Sequence, residues 1–275
     1  MNKVGIMQGR LSPPVNGMIQ GFPKDTWKDE FQIASDIGYD AIELTVDGWD
    51  NPLFDFNEVY AIRYWADKAG IAITAACAEF TVSNPLFGKS MTNSIYDVNR
   101  LVGACVKIGI PRVGISFEDS SAINTPEQRS QAIYAVKECV KVAERLGIIL
   151  SLETSLSAVN VREFINRVGS PNLKVNFDLG NSCAYGEDTP KAIRSLGDLI
   201  GGIHIKDRIK LFGTTVPLGQ GDVLFYRCFE AIKDIGYSGT LIIQGARGDD
   251  DIQTAKQYLS FVRSYLEVWN DTICL

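Results

Sequence analysis

The chain contains one histidine, His204, in 275 residues. A two-histidine zinc motif is therefore excluded, and a serine or cysteine nucleophile assisted by histidine would have only this residue to use. Cys-x-x-Cys pairs are also absent. The six cysteines, at positions Cys77, Cys105, Cys139, Cys183, Cys228 and Cys274, are scattered among apolar neighbours. They read as reduced, buried thiols and point to a cytoplasmic protein. No apolar run approaches the roughly 20 residues that cross a bilayer, so no membrane association is expected. The N-terminal MNKVGIMQGR has too short an apolar stretch for a signal peptide and reads as a first strand. Positive charge is scarce as well: 27 Lys and Arg stand against 33 Asp and Glu, a net charge of −6. That is the wrong sign for a face that binds nucleic acid. The chemistry must rest mainly on carboxylates.

Apolar residues make up 45% of the chain and charged residues 22%, ample for a core. The length suits one domain over residues 1–275. Short apolar runs alternate with longer amphipathic stretches. The runs are VGIMQ from Val4, AIELT from Ala41, IAITAA from Ile71, RVGIS from Arg112, IILSLE from Ile148, LKVNFD from Leu173, GIHIK from Gly202 and TLIIQ from Thr240. Near-continuous apolar character over four to seven residues marks parallel strands buried on both faces. Between them, Ile133, Val136, Val140 and Ala143 form one helical stripe, opened by Thr125-Pro126-Glu127 as cap and first turn. A last helix carries Tyr258, Phe261, Val262, Tyr265, Leu266 and Trp269 on one face. KAGI, KIGI, RLGI and DIGY each place Gly where a helix stops and a strand begins. Eight strands, each followed by a helix and with no linker between, predict an α/β fold of the (β/α)8 TIM-barrel type.

Sites in such barrels form at the C-terminal strand ends. Gln8 and Arg10 follow the first strand, and the Pro- and Gly-containing stretch from Arg10 to Asp25 is a long loop on that face. Glu43 lies on the second strand, Glu79 beyond the third, Glu118 after the fourth, Glu153 at the end of the fifth and Asp178 at the end of the sixth. His204 sits in the seventh and Gln244 ends the eighth. Ionised carboxylates gathered at one mouth need compensation, and a divalent cation on Glu153, Asp178 and His204 would supply it.

The segments AIELTVDGWD, LSLETS, NFDLGNSCAYG and IHIKDRIKLFGTTVPLGQGDVLFYRCFEAIKDIGYSG resemble the xylose-isomerase-like TIM-barrel superfamily. Within it they are most similar to L-ribulose-5-phosphate 3-epimerases and hexulose-6-phosphate isomerases. The resemblance implies a metal-dependent isomerase or epimerase of a small-molecule sugar or sugar phosphate, assembled as a homodimer or homotetramer. By motif, its metal ligands fall on Glu153, Asp178, His204 and position 244. The implied ion is Mn²⁺ first, with Zn²⁺, Mg²⁺ or Co²⁺ as alternatives. Asn181 matches a position that touches the sugar, and Lys206, Arg208, Arg10 and Glu43 are further candidate substrate contacts.

Two positions depart from the family pattern. Its eighth strand usually ends Ile-Glu, whereas this chain has Ile243-Gln244, and its LGEGD is here Leu218-Gly219-Gln220-Gly221-Asp222. An amide oxygen can ligate a hard cation but cannot act as a base. Glu153 then remains the one base of a catalytic pair whose other member is Gln244. One base still suffices for aldose–ketose isomerisation through a metal-stabilised enediolate. Three alternatives stand beside this reading. One is a dehydratase with Glu43, Glu79 or Glu118 as acid, and another is a descendant that binds sugar without turnover. The third, an endonuclease of the endonuclease IV type, is disfavoured by the single histidine and the negative charge.

Overall fold

The computed structural model describes residues 2–271, with side chains for all of these except Asn16 and residues 268–271. Cys274 and the side chain of Trp269 lie outside the described residues. In chain order the elements begin with β1 (Val4–Met7), α1 (Trp27–Ile37), β2 (Ala41–Thr45), α2 (Val59–Ala69), β3 (Ala72–Ala78) and α3 (Phe80–Ser83). Then come α4 (Met91–Lys107), β4 (Arg112–Phe117), α5 (Pro126–Leu146), β5 (Ile149–Thr154), α6 (Ala158–Val168) and β6 (Leu173–Asp178). The chain continues through α7 (Leu179–Ala184), α8 (Thr189–Leu196), β7 (Ile200–Ile205), β8 (Asp207–Arg208) and β9 (Thr215–Val216). It ends with α9 (Phe225–Asp234), β10 (Leu241–Ile243) and α10 (Asp251–Asp271).

Eight strands close into a parallel barrel in the order β1-β10-β7-β6-β5-β4-β3-β2. This is the (β/α)8 barrel expected from the alternation of runs. β8 and β9 stand apart from it as an antiparallel pair in the connection between β7 and β10. Only two residues long each, they carry too little period to be read in advance. β7 also begins earlier than GIHIK indicates, because Ile200 pairs with Val175 ahead of a register shift at Asn176. The glycines at 201 and 202 hide that start.

The helices follow local rules. Thr125 and Gln128 form a reciprocal capping box at the start of α5, with Pro126 at its first position. Gly70 and Gly147 close α2 and α5 in left-handed backbone, at φ 69° and 71°, where a side chain would be strained. Ile133, Val136, Val140 and Ala143 are buried as one stripe against the barrel wall. Among the described residues no helix is long and apolar enough to cross a membrane. Cys77, Cys105, Cys139, Cys183 and Cys228 are all free and buried.

The apolar core lies mainly between the strands and the surrounding helices. Inside the barrel the apolar group is small, consisting of Met7, Cys77 and Ile242. Polar side chains occupy much of the remaining interior: Glu43, Arg112, Ser151, Asn176 and His204 are all buried. A polar barrel centre beneath the C-terminal mouth positions the site.

A candidate metal centre at the barrel mouth

Asp178 is the last residue of β6 and pairs in register with His204 on β7. Glu153 comes from the neighbouring strand, β5. These three side chains each bring one ligand atom to within 4.8 Å of the others. The His204 ring is held between two carboxylates, with Nδ1 3.2 Å from Glu153 Oε2 and Nε2 3.1 Å from Glu43 Oε1. Asp178 divides its work: Oδ1 accepts the backbone N–H of Asn181 at 2.8 Å, capping α7, while Oδ2 pairs with Lys206 Nζ at 3.0 Å.

Gln244 follows Ile243, and its backbone N–H donates to Ile205 O at 3.0 Å, continuing the β10–β7 ladder. It lies two residues beyond Ile242, which pairs with His204 and belongs to the barrel-interior group, so alternation turns Gln244 inward too. Its Oε1 is buried and has no hydrogen-bond partner. A partnerless buried oxygen is costly unless something else satisfies it. Two carboxylates, one imidazole and one free amide oxygen suit a hard or borderline divalent cation, so the donor set fits the metal that the resemblance implies.

Burial acts against every charge here, and neighbours decide the outcome. It disfavours the imidazolium of His204, but Glu43 and Glu153 outweigh it and raise the ring to about 10. It pushes Glu153 up, but His204 and Lys206 hold that carboxyl down at about 2. Glu43 is likewise lowered despite burial, by Arg112 and His204. Glu118 goes the other way, raised well above the usual range by burial and then by Glu153 and Asp178. Glu79, half-buried at the mouth, rises to about 6 from desolvation and the nearby Glu153. One mouth thus holds an ionised carboxylate, Glu153, beside a carboxyl disposed to keep its proton, Glu118, the division of labour that acid–base chemistry requires.

The other anticipated residues divide by position. Asn181 Nδ2 donates to Glu118 Oε2 and, at 3.2 Å, to Glu153 Oε1, and all three line one cleft. Arg208 donates from Nη1 to Asn181 Oδ1 at 2.9 Å and from Nε and Nη2 to the Gly213 carbonyl. Arg10 is buried, giving its Nε to Gly245 O at 3.1 Å and its Nη1 to Ile19 O, so it fastens the loop after β1 to the end of β10. Glu43 lies wholly buried beside His204. Backbone N–H groups of Gly219, Gly221 and Val223 all point at the Asp207 carboxylate, so the glycine-rich loop spends its donors internally.

Arg112 and Asn176 were not singled out from the sequence. Arg112 opens β4 and Asn176 interrupts β6, and both side chains turn into the barrel centre. A polar residue inside a run otherwise buried on both faces was the available signal. Tyr185, whose hydroxyl lies 3.3 Å from Glu118 Oε2 on the cleft wall, had none.

Residues 31–265 match the family described as xylose isomerase-like TIM barrel. The L-ribulose-5-phosphate 3-epimerase UlaE of Escherichia coli K12 is 26% identical over 248 residues, covering 80% of this chain and 82% of that protein. Among solved structures, a xylose isomerase domain protein from Planctomyces limnophilus superposes with a TM-score of 0.80 at 21% identity, covering 99% of both chains. A D-psicose 3-epimerase from Clostridium cellulolyticum H10, solved with D-tagatose, superposes with a TM-score of 0.74 at 19% identity, covering 96% of this chain and 99% of its own. Matched by the family across most of its length, with a closed eight-stranded barrel and a Glu-Asp-His cluster at the strand ends, the chain belongs to the xylose isomerase-like TIM barrel family.

Proposed function

We propose that the protein is a metal-dependent isomerase or epimerase of a sugar or sugar phosphate, with Glu153 as its base. The observation that carries this reading is the cluster of Glu153, Asp178 and His204 within 4.8 Å, with the buried, partnerless Gln244 Oε1 at the adjacent strand end. Glu153, Asp178, His204 and Gln244 would hold a divalent cation, Mn²⁺ in the first instance. Bound there, the cation would act as a Lewis acid that polarises a carbonyl and offsets negative charge on its oxygen. Relatives named as sugar 3-epimerases support the substrate class.

The chain's own residues supply the proton chemistry. Glu153 is kept ionised by its neighbours and removes a proton from the carbon next to the ketone. Asn181 bridges Glu153 and Glu118 and offers an amide to a sugar hydroxyl. Glu118, which burial favours in its protonated form, stands across that amide as the acid that meets the developing oxyanion. Gln244 cannot exchange protons, so Glu153 delivers the proton on the same face to the adjacent, former carbonyl carbon, while a proton passes between the two oxygens of the enediol. That outcome is isomerisation rather than two-base epimerisation. Free, buried cysteines support a cytoplasmic setting.

The test is direct. Purified protein is titrated with Mn²⁺, Mg²⁺, Co²⁺ and Zn²⁺, then incubated in D₂O with a panel of ketoses and their phosphates, including L-ribulose 5-phosphate. Binding of one divalent ion and deuterium at a carbon next to the carbonyl are expected. A protein that binds no divalent ion at saturating concentration would refute the reading.

A further inference from the structure

We propose that Arg112 is a positioning residue for two members of the candidate metal centre at once, orienting His204 through Glu43 and Glu153 through Asn176. The inference rests on the divalent-cation reading above and specifies which ring nitrogen the cation meets.

Arg112 opens β4 and reaches the barrel centre below the mouth. Its Nη2 donates to Glu43 Oε2 at 2.9 Å, and the other oxygen of Glu43 lies 3.1 Å from His204 Nε2. Its Nη1 donates to Asn176 Oδ1 at 2.8 Å, and Asn176 Nδ2 in turn donates to Glu153 Oε2 at 3.0 Å. Each orientation follows from chemistry. A guanidinium only donates, so the amide oxygen of Asn176 must face it and the amide nitrogen must face Glu153. A carboxylate only accepts, so Nε2 of His204 must carry hydrogen towards Glu43. Nδ1 faces Glu153 Oε2 at 3.2 Å and carries hydrogen towards it when no metal is bound. Because it lies on the side of Glu153 and Asp178, a cation held by those carboxylates would take the place of that hydrogen. Metal-bound imidazoles characteristically donate their other N–H to such a partner.

The backbone makes room for this arrangement. A Cβ on Gly202 of β7 would collide with Arg112 Nη1 and with Asn176 Oδ1. Glycine therefore leaves the space through which the guanidinium reaches both relays. A buried arginine needs compensation, and Glu43 provides it at one fork while Asn176 occupies the other.

The chain's single histidine gives a clean readout. Expressed without a histidine tag, the protein shows one imidazole in a long-range ¹H–¹⁵N correlation spectrum. With diamagnetic Zn²⁺ as probe, Nδ1 should be coordinated and Nε2 should keep its hydrogen. In Glu43→Gln the one side-chain oxygen is claimed by Arg112, so an amide N–H faces Nε2 and drives the ring hydrogen to Nδ1. Zn²⁺ affinity, measured by chelator competition, should fall by about 10- to 100-fold. Gly202→Ala displaces the guanidinium without altering any charge and should lower affinity in the same direction. Arg112→Lys keeps the charge but cannot fork to both relays, and should do likewise. Thermal unfolding of the zinc-free variants separates these losses from misfolding, and the wild-type ring assignment needs no variant. Zn²⁺ on Nε2, or all three folded variants binding Zn²⁺ within two-fold of wild type, would overturn the proposal and leave the metal reading standing. Wild type that binds none of Zn²⁺, Mn²⁺ or Mg²⁺ would overturn both.

Discussion

The Lys206 ammonium lies 3.0 Å from Asp178 Oδ2, within the carboxylate cluster that would receive a divalent cation. Both side chains are nearly enclosed, and the nearby Asp178, Glu153 and Glu118 raise Lys206 against the effect of burial, so it keeps its proton. An ammonium and a metal ion therefore compete for one oxygen. Lys206→Met should destabilise the metal-free protein by about 3 kcal/mol, the typical cost of breaking a buried pair. Mn²⁺ should then raise the melting temperature of the variant by more than it raises that of wild type. Equal Mn²⁺-induced shifts in the two proteins would show that Lys206 and the cation do not share Asp178.

Position 244 tests the base assignment. Gln244→Glu adds a third negative ligand and a second proton carrier, so divalent affinity should rise and epimerisation should appear or increase. Glu153→Gln should abolish deuterium exchange in both backgrounds. Rapid epimerisation of a ketose by the native protein would mean that another carboxyl, Glu118 or Glu79 first, is the second base.

Arg10 and Arg208 should respond differently to loss of charge. Arg208 touches Asn181 in the cleft, and Arg208→Met should raise KM for a sugar phosphate more than for the parent sugar. Arg10→Met removes two charged hydrogen bonds to the Gly245 and Ile19 carbonyls and should cost stability of about 3 kcal/mol. It should leave the preference between the two substrates unchanged. A shifted preference in Arg10→Met would place that guanidinium against substrate.

A pH dependence of stability is expected from Glu30. This wholly buried α1 side chain accepts the backbone N–H groups of Gly9, at 2.8 Å, and Leu11, at 3.0 Å, tying down the loop after β1. Burial raises it from 4.5 to about 7, even though Gly9, Ser12 and Leu11 bond to it. The native state therefore binds the proton more tightly than the unfolded chain. Its stabilising contribution is complete below the unfolded value and declines by about 3 kcal/mol as pH rises from 4.5 through 7. Chemical unfolding of wild type and Glu30→Gln across that range isolates the effect. A constant difference in unfolding free energy between the two proteins would show that Glu30 does not titrate there.

The barrel was legible because its signals are local. Strands buried on both faces must be apolar along their length, and a helix that turns directly into a strand must end in glycine, as at Gly70 and Gly147. The eight runs, the Thr125 cap and the buried stripe of α5 all follow from neighbours within a few residues. The candidate ligands were legible for the same reason, since Glu153 and Asp178 end such runs and His204 interrupts one.

What those side chains do to one another depended on closure of the barrel. Glu43 and His204 are 161 residues apart, and Arg112 and Asn176 are 64 apart, yet each pair meets inside it. Strand order and register set those meetings, and neither is written in the pattern of any single segment. Sequence alone determined which residues stand at strand ends and which atoms they could offer. Only the tertiary structure decided that Lys206 faces Asp178 and that Arg10 fastens a loop. It also decided that Glu43 lies beside the imidazole rather than in the cleft, because direction and burial belong to the closed barrel and not to the strand.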